Sequence, residues 1–323
     1  MGSDAHFLRT VVSSSPAPAT AVAIFSADAV LGQVVHGVAD LSTGRPVAPD
    51  DWWDLASLTK VLVTLPEVRA LGLPLDTRLE ELFPPARGYA VGRATIRSLL
   101  THTAGLPASV PFFRIVSGRS GSGLSGSSGL SGREAVVRAA LSVPLGPPAE
   151  VYSDLGFLLL GCVVESLTGR SLSSLARTRS GLRFGAPPLS SVATEFCPWR
   201  GRMIVGEVHD ENAAAMGGVA GQAGAFGTLA LVTAAAQALL RSPAPVAAPG
   251  AGFALGWMVT PRPGLGSPQL PGFGHTGFVG NRLWLSPARD LGVVILGNRV
   301  HPHREGTAEP YARWCASLFE GLA

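Results

Sequence analysis

The chain has 323 residues, of which 46% are hydrophobic and 15% charged, a globular balance long enough to bury a sizeable core. Forty glycines and 26 prolines imply many turns without the bias of a low-complexity chain. A net charge of +3 from scattered arginines excludes a clustered basic face for nucleic acid, and three widely spaced cysteines, Cys162, Cys197 and Cys315, exclude a disulfide framework and a zinc knuckle.

From the N-terminus, Met1 to Arg9 lacks a charged start followed by a long apolar run, and no later stretch has transmembrane length. The sequence therefore predicts a soluble, cytoplasmic protein without a membrane segment, exported only if a leader has been removed. Ala21–Ser26 and Leu31–Gly37 read as a hairpin. A helix is predicted from near Ser57 to Leu71, closed by Gly72 and Pro74, with Pro66 expected to kink it or end it early. A second helix covers Thr95 to His102.

Ser117 to Gly132 is almost entirely serine and glycine and predicts a flexible surface insertion. The G-x-G-x-x-G string from Gly121 to Gly126 inside it has no strand before it and no helix after it, so a dinucleotide site is excluded. Helices follow at Arg133–Val143 and Asp154–Leu167, then an irregular stretch from Arg177 to Pro198, then a helix over Leu229–Leu240. Gly252–Thr260, Arg282–Leu285 and Leu291–Asn298 read as strands, and Ala308–Leu322 as a final helix. The order implies an α+β fold: an antiparallel sheet built from both chain ends, flanked by helices, with a mainly helical region inserted. The expected organisation is one domain over 1–323, with 1–75 and 225–323 forming an α/β part and 76–224 a helical part.

The chemistry begins with lysine. Of 25 basic residues, Lys60 is the single lysine and the rest are arginine. Arginine stays protonated in proteins, whereas lysine can exchange a proton. Lys60 lies three residues after Ser57, and on a helix that spacing puts amine and hydroxyl on one face. A serine hydroxyl needs its proton removed to become a nucleophile, and an N–H at a helix start is unpaired and free to meet an oxyanion. Two further segments complete a three-part pattern: Tyr152-Ser153-Asp154 and His275-Thr276-Gly277.

These segments resemble the serine β-lactamase and penicillin-binding protein superfamily, in its class C β-lactamase-related branch, which also holds D-alanyl-D-alanine carboxypeptidases and esterases. The resemblance covers nearly the whole chain. Trp53 to Lys60 is similar to the first motif and its approach; Ile96 to Pro107 is similar to "LLTHTSGLP"; Tyr152 to Phe157 is similar to "YSNLGY". Val208 to Asn212 and Gly217 to Gly224 resemble the "VHDENA…GGVAGHAG" run of one sub-branch.

The resemblance implies a β-lactamase/transpeptidase-like fold and an acyl-enzyme serine hydrolase that needs no metal or other cofactor. Ser57 would be the nucleophile. Lys60 would ease its deprotonation, and Tyr152 would be the base or proton relay, with its pKa pulled down by the Lys60 cation. His275, Thr276 and Gly277 would form the strand edge along which substrate lies, and the N–H groups of Ser57 and Phe278 the oxyanion hole. The expected partner is a small-molecule or peptide substrate: an ester, a D-amino-acyl peptide or a β-lactam-like compound.

Three positions depart from the family pattern. Asp154 stands where the motif has asparagine, and a carboxylate accepts hydrogen bonds but donates none. His275 replaces the lysine of K-T-G and holds a substrate carboxylate less firmly. Gln222 replaces a histidine, for which the sequence offers no reason. The first two favour a small ester or D-amino-acyl peptide over an efficient β-lactamase. The rival readings are a non-catalytic penicillin-binding or sensor module of the same fold and a metal-dependent hydrolase using His209 and His301. Neither histidine has metal-like spacing with a third ligand, so both read as solvated loop residues, and His102 as a packing residue. The lack of a G-x-S-x-G elbow argues against an α/β-hydrolase.

Overall fold

The computed structural model describes residues 2–117 and 131–322, so the Ser/Gly stretch, including Gly121 to Gly126, lies outside the described residues apart from its edges. The main sheet has eight strands in the order Arg45–Pro46, Val30–Asp40, Ala19–Phe25, Leu291–Gly297, Arg282–Ser286, Phe273–Thr276, Trp257–Met258 and Phe253–Ala254. Each neighbouring pair runs antiparallel. Within it the first strand in chain order pairs with the last, with Thr20 opposite Gly297 and Phe25 opposite Gly292.

Side chains alternate across a strand, and both of these strands use both faces. Ala19, Ala21, Ala23, Val294 and Leu296 face one core with Val232 and Ala236 of the helix Leu229–Leu240. Val22, Val293 and Ile295 face a second core with Leu8 and Val12 of the helix Gly2–Ser13 and Trp314 and Phe319 of the helix Ala308–Gly321. Small alanines on the first face let helices pack close, and β-branched residues fill the second. The helix Gly2–Ser13 was absent from the sequence reading.

Residues between the sheet halves supply most of the helices, including Asp154–Thr168, whose residues Leu155 to Val164 are all buried. A helix apolar on every side must sit inside the core. No single helix among the described residues is long and apolar enough to cross a membrane.

Several sequence expectations change in detail. Pro66 neither breaks nor ends its helix: Lys60–Thr64 is a π-helical turn, in which Leu65 N–H reaches Lys60 O, and α-helix continues over Leu65–Ala70. The wider turn takes up the strain that a proline ring places on the preceding carbonyls. Gly252–Thr260 is a tight hairpin of Phe253–Ala254 and Trp257–Met258, turned by Leu255 and Gly256 at positive φ. Arg177 to Ser180 is helical, the end of Leu172–Ser180, capped by left-handed Gly181.

Candidate active site

Ser57 sits in the turn just before the helix that carries Lys60. The backbone arrives by the short strand Trp53–Asp54, paired with Phe226 and Gly227, and turns at Ala56 with φ 47°. The N–H of Lys60 donates to Ser57 O at 3.1 Å, an i to i−3 bond that stacks residues three apart. Lys60 is fully buried and Ser57 half-buried.

Asp54 holds this turn from within. Its buried carboxylate accepts the N–H of Ala56 at 2.7 Å and of His209 at 2.6 Å. Burial pushes its pKa up, and the two N–H groups and nearby His209 and Arg200 oppose that. Asn281, also buried, donates to Asp54 O at 2.8 Å, and Gly277 N–H donates to Asn281 O. The strand that ends in Thr276 is thereby tied to the nucleophile turn. Glycine is required at 277 because a Cβ there would meet Leu55 O at 2.8 Å.

Tyr152 and Asp154 reach the same point from the start of the helix Asp154–Thr168. The segment Ile96 to Pro107 holds them: Ser153 N–H donates to His102 Nδ1, Val151 N–H to His102 O, and Ser153 Oγ to Pro107 O. His102 takes the left-handed conformation, φ 58°, to make both contacts, and its ring packs on Tyr152, Phe157 and Phe253. Burial, then the Lys60 charge, lowers its pKa to about 3, so it stays neutral. It therefore packs and hydrogen-bonds, as the sequence reading expected.

At the centre, Lys60 Nζ lies 2.9 Å from Ser57 Oγ, 2.7 Å from Asp154 Oδ1 and 3.0 Å from Gln222 O. Its distance to the Tyr152 ring centroid is 5.2 Å, and Tyr152 and Ser57 line the same cleft. Burial alone would drive the Lys60 pKa down; the charge of Asp154, with Tyr152, outweighs it and the pKa rises. Burial also raises the Tyr152 pKa, and the Lys60 cation only partly offsets this. The expected depression of the Tyr152 pKa is thus corrected, because desolvation of a phenolate exceeds the attraction of a cation already paired with Asp154.

The other predicted site residues divide. Ser57, Tyr152, Asp154, Thr276 and Phe278 line one cleft of about 480 Å³. Among the described residues no backbone carbonyl takes the N–H of Ser57 or Phe278. His275 is fully buried instead of lining the substrate strand: its ring lies 5.7 Å from that of Tyr152, and Nδ1 pairs with Thr276 O at 2.8 Å. Burial, then the charge of Lys60, holds it neutral, with a pKa well below the usual imidazole range. Asp154 is an ion-pair partner of Lys60, beyond the substrate-binding place expected for it. Gln222 contributes its backbone oxygen as one of the three Lys60 acceptors, and its side-chain Nε2 donates to Asp210 Oδ1 at 3.4 Å.

His209 and His301 are buried, not solvated. His301 Nε2 accepts from Leu41 N–H, and His209 Nε2 pairs with Glu195 Oε2 at 2.6 Å. Glu195 also binds Arg304, and although burial pushes its pKa up, His209 and Arg304 outweigh that and hold it at about 2. The His209 ring stacks on Phe278, with Arg304 over the same ring. Sequence reasoning missed this wall of the cleft, together with Asp54, Asn281 and Arg262. Arg262 lines the opposite wall and, among the described residues, has no carboxylate in ion-pair range, while its buried Nε lacks a partner. A separate hollow of about 560 Å³, lined by Cys162, Glu165 and Arg133, contains none of these groups.

The chain is similar to several known proteins. A candidate D-alanyl-D-alanine carboxypeptidase of Escherichia coli (strain K12) is 29% identical over 310 residues, covering 77% of this chain and 69% of that protein. One of Salmonella agona (strain SL483) is 31% identical over 203 residues, 47% of this chain, and the match spans only 45% of that relative's length. Among solved structures, a class C beta lactamase from Rhodobacter sphaeroides superposes with a TM-score of 0.69 at 18% identity, covering 100% of both chains. EstCE1, a hydrolase with promiscuous acyltransferase activity, gives 0.71 at 19% identity, covering 99% of this chain and 100% of that one. These two likenesses show the β-lactamase/transpeptidase-like fold. A family model described as Beta-lactamase matches residues 7–318, nearly the full length, and the chain belongs to the beta-lactamase family.

Proposed function

We propose that this protein is a serine hydrolase that forms an acyl-enzyme on Ser57 and acts on D-amino-acyl peptides bearing a free carboxylate, with simple esters as surrogate substrates. The observation that carries it is the meeting of Ser57 Oγ, Lys60 Nζ and Tyr152 in an open cleft, with Oγ to Nζ at 2.9 Å. Tyr152, as phenolate, takes the Ser57 proton while Oγ adds to the scissile carbonyl. The N–H groups of Ser57 and Phe278 meet the oxyanion. Collapse expels an amine or alcohol, which leaves with the proton held by Tyr152. Water then attacks the acyl-enzyme and frees the acid and Ser57.

The carboxylate preference rests on charge. Lys60 is paired with Asp154 and Arg304 with Glu195, whereas Arg262 faces the cleft without a carboxylate partner among the described residues. Asp154 can offer no N–H to a substrate carbonyl, which weighs against an efficient β-lactamase. The names carried by the curated relatives agree with a D-alanyl carboxypeptidase.

The test is intact-mass analysis with a fluorophosphonate, followed by assays on D-alanyl-D-alanine peptides, p-nitrophenyl esters and nitrocefin. One adduct is expected on the unaltered protein and none on Ser57→Ala. Arg262→Ala should reduce the preference for carboxylate-ended peptide over neutral ester by about 10-fold or more, the loss of one charged hydrogen bond. Ester hydrolysis that survives Ser57→Ala sinks the assignment.

A further inference from the structure

We infer that Asp154 fixes Lys60 as a permanent ammonium donor, so that removal of the Ser57 proton falls to Tyr152 alone. The inference rests on the acyl-enzyme reading, with Tyr152 as its base, and adds the residue that keeps Lys60 from that role. It begins from the geometry of one buried amine. An ammonium carries three N–H donors and no lone pair. Lys60 Nζ has three acceptors within 3.0 Å: the hydroxyl of Ser57, a carboxylate oxygen of Asp154 and the backbone oxygen of Gln222. Asp154 and Gln222 O can only accept, and the Asp154 carboxylate at 2.7 Å favours the charged amine, which leaves its third proton for Ser57 Oγ. A base must do the reverse and accept from Oγ. With Lys60 donating, the Ser57 proton is left to the other titratable hydroxyl of the same cleft, Tyr152, whose ring centroid lies 5.2 Å from Lys60 Nζ.

The carboxylate makes this arrangement lasting. An asparagine at 154 would offer its amide oxygen to Lys60 but no charge, and a buried amine without a counter-ion readily gives up its proton. The Asp154 charge reverses that balance for Lys60 and at the same time opposes ionisation of Tyr152. The other charged or titratable groups facing this cluster do not substitute for it. Asp210, at the N-terminus of the short helix Glu211–Ala215, has a pKa raised to about 6 by burial and then by the charge of Asp154 itself. His102 and His275 are buried and neutral, and Arg262 adds a further positive charge. Asp154 is therefore a positioning residue that sets two protonation states, and the enzyme should gain activity with pH into the alkaline range.

The chain allows a direct test, because Lys60 is its only lysine. Protein labelled with lysine carrying 13C at the ε carbon gives one side-chain signal, assigned without mutation. The expected result is an ammonium shift that holds to about pH 10, where an ordinary lysine is already titrating, and a kcat/KM for ester hydrolysis that climbs past pH 9. In Asp154→Asn, both the lysine titration and the rising limb of kcat/KM should move down by about one pH unit or more. A purely structural role for Asp154 would lower stability or rate and leave both midpoints in place.

Titration of Lys60 below about pH 9 in the unaltered protein overturns the inference, as do unchanged midpoints in Asp154→Asn. Should that variant fail to fold, the titration of the unaltered protein still decides. A missing fluorophosphonate adduct would instead strike the acyl-enzyme reading, and the lysine signal would remain interpretable by itself.

Discussion

A carboxylate taken out of water costs several kcal/mol unless charged partners surround it. Glu195 is 4% exposed, with His209 Nε2 and Arg304 Nη2 each 2.6 Å from Oε2. These partners back Phe278, whose N–H is proposed to meet the oxyanion. Its pKa of about 2 lies below the ordinary 4.5, so the folded state binds its proton less tightly than the unfolded state. The resulting stability is full above about pH 4.5 and is lost as pH falls toward 2. Glu195→Gln should cost about 3 kcal/mol at neutral pH, by leaving Arg304 without its nearest counter-charge. It should also flatten acid unfolding over that window, measured as urea midpoints from pH 2 to 7. Equal midpoints for both proteins throughout would show that the pair contributes nothing.

At the scale of elements, the helix Asp154–Thr168 and the loop Ala220–Gln222 meet without side chains between them. A Cβ on Gly221 would lie 2.1 Å from Phe157 O and 2.9 Å from the Cα of Gly161. This contact sets the height of the next carbonyl, Gln222 O, over Lys60. Gly221→Ala should therefore destabilise by about 1–3 kcal/mol, the range for overpacking a tight interior, and lower kcat for esters with it. Normal stability and normal kcat in that variant would mean the loop is free to move. The sequence displayed this region unevenly. Ser57 and Lys60 were legible because their relation is local, three residues along one helical turn. Tyr152 was found through its motif, and the antiparallel sheet through its apolar runs and turns. The Gly221 contact, Asn281, Arg262 and the Glu195 wall depend on partners far along the chain, and periodicity carries no trace of those. The helix Gly2–Ser13 escaped notice because its buried positions, Leu8 and Val12, make only a short apolar face.

For the whole molecule, that helix joins the chain ends. Leu8 and Val12 are buried against the second core, and Trp314 Nε1 donates to Val11 O at 2.8 Å. Deleting residues 1–14 should cost about 4 kcal/mol from the two apolar side chains alone and lower Tm by roughly 10 °C, read by circular dichroism. A change within about 2 °C would contradict a structural role for the segment. The same closure governs how the protein is made. Ala19–Phe25 is synthesised long before Leu291–Gly297, which pairs with it from Thr20 to Phe25. An uncharged, β-prone edge must wait while the chain between the two strands is made for its neighbour on that side, in a form open to aggregation. Yield in a host cell should thus follow chaperone supply and elongation rate, and the sheet that carries the site closes only once Leu291–Gly297 has been made.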